Sequence, residues 1–218
     1  MALFQGNGSL QFDKKAAVRV LKAVDPKLAR VIERVGPLGL EADGMQSPFH
    51  ALAESIAYQQ LTGKAAATIF GRVCDLFPRK KPTPERLLRT PDATLRACGL
   101  SRAKTLAMKD LAAKTLDGTV PALRALTRME DEEIVERLTQ VRGVGRWTVE
   151  MLLLFRLGRA DVLPTTDYGI RKGFMMAFGT RDLPTPREVA ARGERWRPYR
   201  SAASWYLWRV VDTAGGRA

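Results

Sequence analysis

The stretch that most constrains the fold is Leu138 to Arg156, LTQVRGVGRWTVEMLLLFR. Gly143 and Gly145 flank a single valine there, and a pair of glycines inside a helix costs roughly 2 kcal/mol relative to alanine, so a helical pattern must break at that point. Before the break, Ile134, Leu138 and Val141 share one helical face over 131–140. After it, Val149, Leu152, Leu153 and Phe155 form an apolar run suited to a buried helix. The spacing predicts helix, tight turn, helix. Glycine lets the backbone turn sharply and admits a close neighbour. The first amides of the second helix lack a partner inside it and lie at its positive end, which suits a phosphate. On the two glycines alone, an ordinary helical hairpin and a phosphate-gripping one fit equally well.

The rest of the chain is punctuated by one recurrent device, a capping side chain followed by proline at the first helical position. It occurs at Asp25-Pro26, Ser47-Pro48, Thr83-Pro84, Thr90-Pro91 and Thr185-Pro186, with Glu188 at capping-box distance from Thr185. Alternating apolar patterns are scarce, so the fold class expected is all-α. Helices are predicted over 13–24, 26–35, 48–60, 63–77, 84–89, 91–98, 101–116, 121–127, 130–140, 146–157, 167–177, 186–193 and 201–213, with a few strand residues near Leu10 or Leu40.

A length of 218 residues allows one good core or two small lobes, and a 45% hydrophobic fraction is that of a globular chain. The net charge of +13 says little about fold; it points towards a polyanionic partner, with a merely solvated basic surface or an origin among arginine-rich proteins as the alternative. Cys74 and Cys98 are too few for a zinc site or an iron–sulfur cluster and read as buried apolar residues; His50, the only histidine, reads as structural. No stretch is long enough to span a bilayer and no signal-peptide core is visible, so no membrane partner is expected. The expected state is a monomer in the cytoplasm.

Beyond Trp147 the chain reads Val162-Leu163-Pro164-Thr165-Thr166-Asp167-Tyr168-Gly169-Ile170-Arg171-Lys172. Together, the Gly-Val-Gly turn and this apolar-Pro-x-x-Asp segment resemble the helix–hairpin–helix/glycine-proline-aspartate (HhH-GPD) superfamily of DNA glycosylases. Arg146-Trp147-Thr148 most resembles the alkylation-repair branch, the 3-methyladenine DNA glycosylase II type. The resemblance covers most of the chain, from about Asp25 to Asp212. It implies two helical lobes flanking a substrate cleft: a central lobe over 48–163 with the helix–hairpin–helix at 131–157, and a terminal lobe from 13–47 plus 164–218. Residues 1–12 are then a flexible N-terminus, and the β-domain that precedes the lobes in some members is not expected. Nor is the four-cysteine cluster of the endonuclease-III type.

Carried over residue by residue, the resemblance implies a monofunctional glycosylase that removes alkylated purines from double-stranded DNA. Asp167 is the catalytic carboxylate, a position that also reads as an ordinary helix cap. Trp147 stands where lyase-competent relatives carry a Schiff-base lysine, and indole offers no amine. Trp147, Met151, Tyr168, Trp208 and Tyr58 match the pocket positions, although tryptophan and methionine also fill cores; of Trp205-Tyr206-Leu207-Trp208, one aromatic must be core. An electron-rich pocket suits the positive charge of an N3- or N7-methylated purine. In Tyr58-Gln59-Gln60-Leu61-Thr62-Gly63-Lys64, Gln60 takes the place of the plug that fills the gap left by a flipped base, with Gln59, Leu61, Thr62 and Lys64 around it. Gly143, Val144, Gly145, Arg146 and Thr148 would meet the backbone, and Arg102, Lys104, Arg171 and Lys172 are phosphate partners or ordinary solvated charges. No cofactor is required. The hairpin carbonyls of Thr139, Val141 and Val144 would hold a structural Na+ or K+, with Arg142 replacing the proline many relatives carry.

Two other readings compete. A non-catalytic helix–hairpin–helix DNA-binding module would need neither Asp167 nor the aromatic positions. A glycosylase for oxidised or deaminated bases would want specific hydrogen-bonding groups in the pocket in place of Trp147 and Met151.

Overall fold

The computed structural model describes residues 9–45 and 47–214. The expectation of a flexible N-terminus lies, for residues 1–8, outside the described residues, as do 215–218 of the expected terminal lobe. Thirteen α-helices run through the described residues: α1 (Lys14–Val24), α2 (Pro26–Val35), α3 (Pro48–Tyr58), α4 (Gly63–Asp75), α5 (Pro84–Arg89), α6 (Asp92–Ala97), α7 (Arg102–Leu116), α8 (Leu123–Leu126), α9 (Asp131–Leu138), α10 (Arg146–Phe155), α11 (Tyr168–Phe178), α12 (Pro186–Gly193) and α13 (Arg200–Ala214). Short 3-10 turns occupy Pro78–Lys80 and Glu194–Trp196. No helix among the described residues is long and apolar enough to cross a membrane.

The capping chemistry accounts for most helix starts. Asp25 accepts from the amides of Lys27 and Leu28, Ser47 from that of His50, and Thr83 from that of Arg86. Thr185 and Glu188 form a reciprocal capping box. Thr90 departs from the expectation. Its amide and hydroxyl both donate to the carbonyl of Arg86, so it closes α5, and Pro91 stands at the N-cap of α6 with no side-chain cap. The strand expectation also shrinks. Near Leu10 and Leu40 only Ala42 makes a bridge-type pairing, while the amide of Gln11 donates to Gly158 and that of Asp43 to Phe155.

The described residues gather into two compact units, one of residues 45–152 and one of 9–44 with 153–214. In the first, α7 is the central helix, with α3, α5 and α6 packed on it and α4 against α3. Its core is largely aliphatic: Leu52, Ile56, Val73, Leu87, Leu95, Met108, Leu111, Ile134 and Leu138 are buried, with Phe49, Phe70 and Phe77 among them. The rings of His50, on α3, and Phe70, on α4, meet in a T-shaped contact with centroids 5.2 Å apart. Cys98 is buried, while Cys74 is only half-buried, a departure from the expectation.

The second unit is built on α11 and α13, with α2 against both and α1 against α2 and α13. The two helices cross closely because a Cβ on Gly173 would lie 2.0 Å from the carbonyl oxygen of Leu207. A buried polar node ties the ends of this unit. Asp25, fully buried, caps α2 and also accepts from Arg192 (2.7 and 2.9 Å) and from the indole of Trp196 (3.0 Å). Burial alone would raise the Asp25 carboxyl, but the hydrogen bonds from Arg192, Trp196 and Leu28 outweigh it and hold the pKa below the ordinary value.

Candidate functional site

The turn between α9 and α10 is as tight as its glycines suggest. Gly143 takes φ +77, a left-handed conformation that favours glycine, and the amide of Val144 closes onto the carbonyl of Val141 at 3.0 Å. Val141 and Val144 turn their side chains into the core. Gly145 differs from Gly143: its φ is not positive and a Cβ there would meet nothing within 4 Å. Nothing inside the protein demands a glycine at 145. Gly145, Arg146 and Trp147 are exposed, and the first amides of a helix find no partner within it.

Helix α7 holds the turn from behind. The amide of Arg142 donates to Asp110 Oδ2 at 2.7 Å, and Lys114 Nζ reaches both Asp110 (2.8 Å) and the carbonyl of Gln140 (2.6 Å). Burial would raise the Asp110 carboxyl, but the Arg142 amide and the Lys114 ammonium hold it below the usual carboxylate value. Neither Asp110 nor Lys114 is singled out by the sequence. An acidic residue paired one turn ahead of a lysine reads there as an ordinary surface pair.

The segment from Tyr58 to Lys64 lies in the same unit. Tyr58 ends α3 half-buried, Gln59 is its C-cap, and Gln60 is exposed with φ +57. Leu61 is 41% exposed, unusual for leucine, and Thr62 precedes α4 without a side-chain cap bond. Lys64 and Arg102 are exposed. On α10, Trp147 and Met151 are one turn apart and so share a face; Trp147 is 47% exposed and Met151 half-buried.

In the second unit Asp167 caps α11. Its Oδ1 accepts from the Ile170 amide (2.8 Å) and from Trp208 Nε1 (2.9 Å). Two donors on one oxygen fix the carboxylate's rotation. Trp208 is in turn held by stacking on Phe155, with ring centroids 5.8 Å apart at 28°. Gly169 makes this approach possible. A Cβ there would lie 2.8 Å from Trp208 Cδ1 and 3.0 Å from Asp167 Oδ1, so an alanine would push apart the very pair that meets. Tyr168 is 66% exposed beside Asp167. Tyr206 is the core aromatic of its segment, fully buried with its hydroxyl on the Gly36 carbonyl. Phe155 is the aromatic that sequence reading passed over, being one more residue in an apolar run.

Several expected backbone contacts sit otherwise than their charges suggest. Lys104 does not reach into solvent: its ammonium donates to the carbonyls of Ala57 (2.8 Å) and Gln59 (2.7 Å) at the end of α3, and burial lowers its pKa. Arg171 donates from Nε to the Pro184 carbonyl at 2.7 Å, which ties α11 to the segment before α12. Thr148 is buried. Arg146 forms a fork with Glu132, but both side chains are exposed, and such a pair is worth only about 0.2–1 kcal/mol. Lys172 is half-buried. Among the described residues, no three His, Cys, Asp or Glu side chains cluster as metal ligands.

Residues 53–198 match the family described as HhH-GPD superfamily base excision DNA repair protein. Over 196 residues the chain is 38% identical to the Schizosaccharomyces pombe protein named DNA-3-methyladenine glycosylase 1, covering 89% of this chain and 86% of that one. The fold is similar to the solved structure of the S. pombe 3-methyladenine DNA glycosylase in complex with abasic DNA, with a TM-score of 0.79 and 37% identity over 92% of this chain and 97% of the other. A DNA-3-methyladenine glycosidase from Bacillus halodurans is similar at a TM-score of 0.82 and 32% identity, over 92% and 91% of the two chains.

Proposed function

Because the chain belongs to the HhH-GPD superfamily of base excision DNA repair proteins, we propose that it is a monofunctional DNA glycosylase that removes alkylated purines of the 3-methyladenine and 7-methylguanine type from duplex DNA. The observation that carries this reading is the Asp167 carboxylate, oriented through Oδ1 by Trp208 and the Ile170 amide. Cleavage of the glycosidic bond leaves positive charge on the sugar, and a fixed carboxylate stabilises that charge without having to reorganise. Water then bonds to C1′ and its proton is released, leaving an abasic site. An N3- or N7-methylated purine already carries positive charge, so it departs neutral with the electron pair of the broken bond. No protonating residue is needed, which fits a chain whose single histidine is packed on Phe70.

In this reading the π faces of Tyr58 and Trp147 in the first unit, with Met151, and those of Tyr168 and Trp208 in the second attract the charge of the flipped base. With Trp147 at the lysine position of lyases, no imine forms with the abasic sugar. Gly143 to Arg146 grip the backbone through main-chain amides, with Arg102, Lys64 and Lys172 as charged partners; Arg146 leaves Glu132 for a phosphate at little cost. Gln60 and Leu61 enter the gap. The carbonyls of Thr139, Val141 and Val144 are neutral oxygen donors suited to a monovalent cation. Val141 already accepts one amide, so it would give the ion its remaining lone pair. The place of action is the cytoplasm, on DNA.

The test is to incubate the protein with duplexes carrying 7-methylguanine, 3-methyladenine, ethenoadenine, hypoxanthine or 8-oxoguanine and to measure free base. Release is expected for the methylated purines, with borohydride trapping no protein–DNA adduct. No release from either methylated duplex would overturn the reading, and a trapped adduct would overturn its monofunctional part.

A further inference from the structure

We propose that Lys104 and Gln59 are positioning residues that lock the wedge turn to the phosphate-gripping hairpin, so that the two loops meet DNA as one piece. The proposal rests on the glycosylase reading for the roles of the two loops. The lock itself is a chain of hydrogen bonds within residues 45–152. Lys104, in the first turn of α7, donates to the carbonyls of Ala57 and Gln59 and so fixes the last peptides of α3. The side chain of Gln59 then donates from Nε2 to the carbonyl of Gly143 at 2.7 Å, inside the hairpin. Next in sequence is Gln60, a non-glycine residue at φ +57, whose backbone is held in a conformation it would rarely adopt unaided.

From the other side, Asp110 and Lys114 of the same helix hold the Arg142 amide and the Gln140 carbonyl. Thus α7 braces both loops, and Gln59 joins them directly. A lysine ammonium spent on two carbonyls at 2.7–2.8 Å is poorly placed to neutralise a phosphate as well. Its charge instead offsets the negative end of α3, where cations are favoured. The consequence is mechanical: insertion of Gln60 and the grip of Gly143 to Gly145 on the backbone cannot vary independently.

The test compares the full-length protein with Lys104→Met, Gln59→Leu and their double variant. Affinity is measured for an intact duplex and for the same duplex with a tetrahydrofuran abasic analogue, which offers a gap for the wedge. Each single variant is expected to lose up to about tenfold of the preference for the gapped duplex, a size at the upper end for the neutral amide bond of Gln59 and at the lower end for the charge-assisted bonds of Lys104. The double variant should lose no more than the worse single one, because the bonds act in series. Lys104→Arg, which keeps the donors, should recover most of the loss. Lys104→Met should also leave the slope of log affinity against log salt unchanged, whereas a phosphate partner would lower it by about 0.9. An unchanged gap preference in Gln59→Leu, additive losses, or a reduced slope would each overturn the proposal. A loss of thermal stability without loss of gap preference marks a purely structural role and overturns it too. Should the wild type release no base yet show this affinity pattern, the glycosylase reading falls and the lock stands.

Discussion

Gly145 and Gly169 stand at the starts of α10 and α11, yet they are glycine for opposite reasons. A Cβ at 145 would meet nothing within 4 Å, while one at 169 would strike Trp208 and Asp167. The first glycine leaves room for something the chain itself does not supply. The second lets the chain's own indole reach its own carboxylate. One region is thus built to expose main-chain atoms, and the other to fix a single side chain. With DNA grip proposed for the first and catalysis for the second, variants can be chosen to disturb one at a time.

The largest effect is expected from Asp167→Asn, which keeps size and a capping oxygen but removes the charge. Excision of 7-methylguanine in single-turnover assays should fall by roughly two to four orders of magnitude, with the thermal midpoint little changed. A fully active variant would remove Asp167 from catalysis. Gly169→Ala comes next. Its Cβ must displace the Trp208 indole, and losing a bond to a charged group together with carboxylate alignment should slow excision by about a hundredfold. Duplex affinity, read by fluorescence anisotropy, should change far less than the rate. Gly145→Val reverses that pattern, with about tenfold weaker binding to every duplex regardless of sequence. If its loss depends on sequence, the hairpin is reading bases and the comparison breaks.

The smallest effect concerns the frame around the carboxylate. The folded Asp25 pKa lies below its unfolded value, so its contribution to stability is fully present above the unfolded value near 3.8 and is lost as pH falls through the folded one. The thermal midpoint of the wild type should therefore drop more steeply between pH 5 and 3 than that of Asp25→Asn. The difference should be a few degrees, since about 1 kcal/mol moves the midpoint of a chain this long by about 2–4 °C. Parallel curves would show that the Arg192–Asp25 pair does not stabilise the unit.

Much of this was legible in the sequence, because its signals are local. Caps at Asp25, Ser47, Thr83, Asp167 and Thr185 are decided by residues one to three positions away, and each forms the bond its type suggests. Thr90 failed because its hydroxyl had a second acceptor behind it, the Arg86 carbonyl, which proline spacing does not reveal. The basic residues were the least legible. Nothing near Lys104 tells that its ammonium ends on carbonyls of a helix some 45 residues earlier, and the same holds for Arg171 on Pro184. Gly169 carried no signal of its own, since its constraint comes from Trp208, far along the chain. Phe155 was hidden for the same reason, by its stacking partner on α13.

The most direct test of the division between grip and chemistry is the single-turnover rate on one 7-methylguanine duplex as a function of protein concentration. Wild type, Gly145→Val and Asp167→Asn are followed side by side until all DNA is bound. Gly145→Val should approach the wild-type plateau at about tenfold higher protein concentration, whereas Asp167→Asn should plateau at least about a hundredfold lower however much protein is added. The account is contradicted if the Asp167→Asn plateau rises to that of the wild type, or if Gly145→Val stays slow once every duplex is bound.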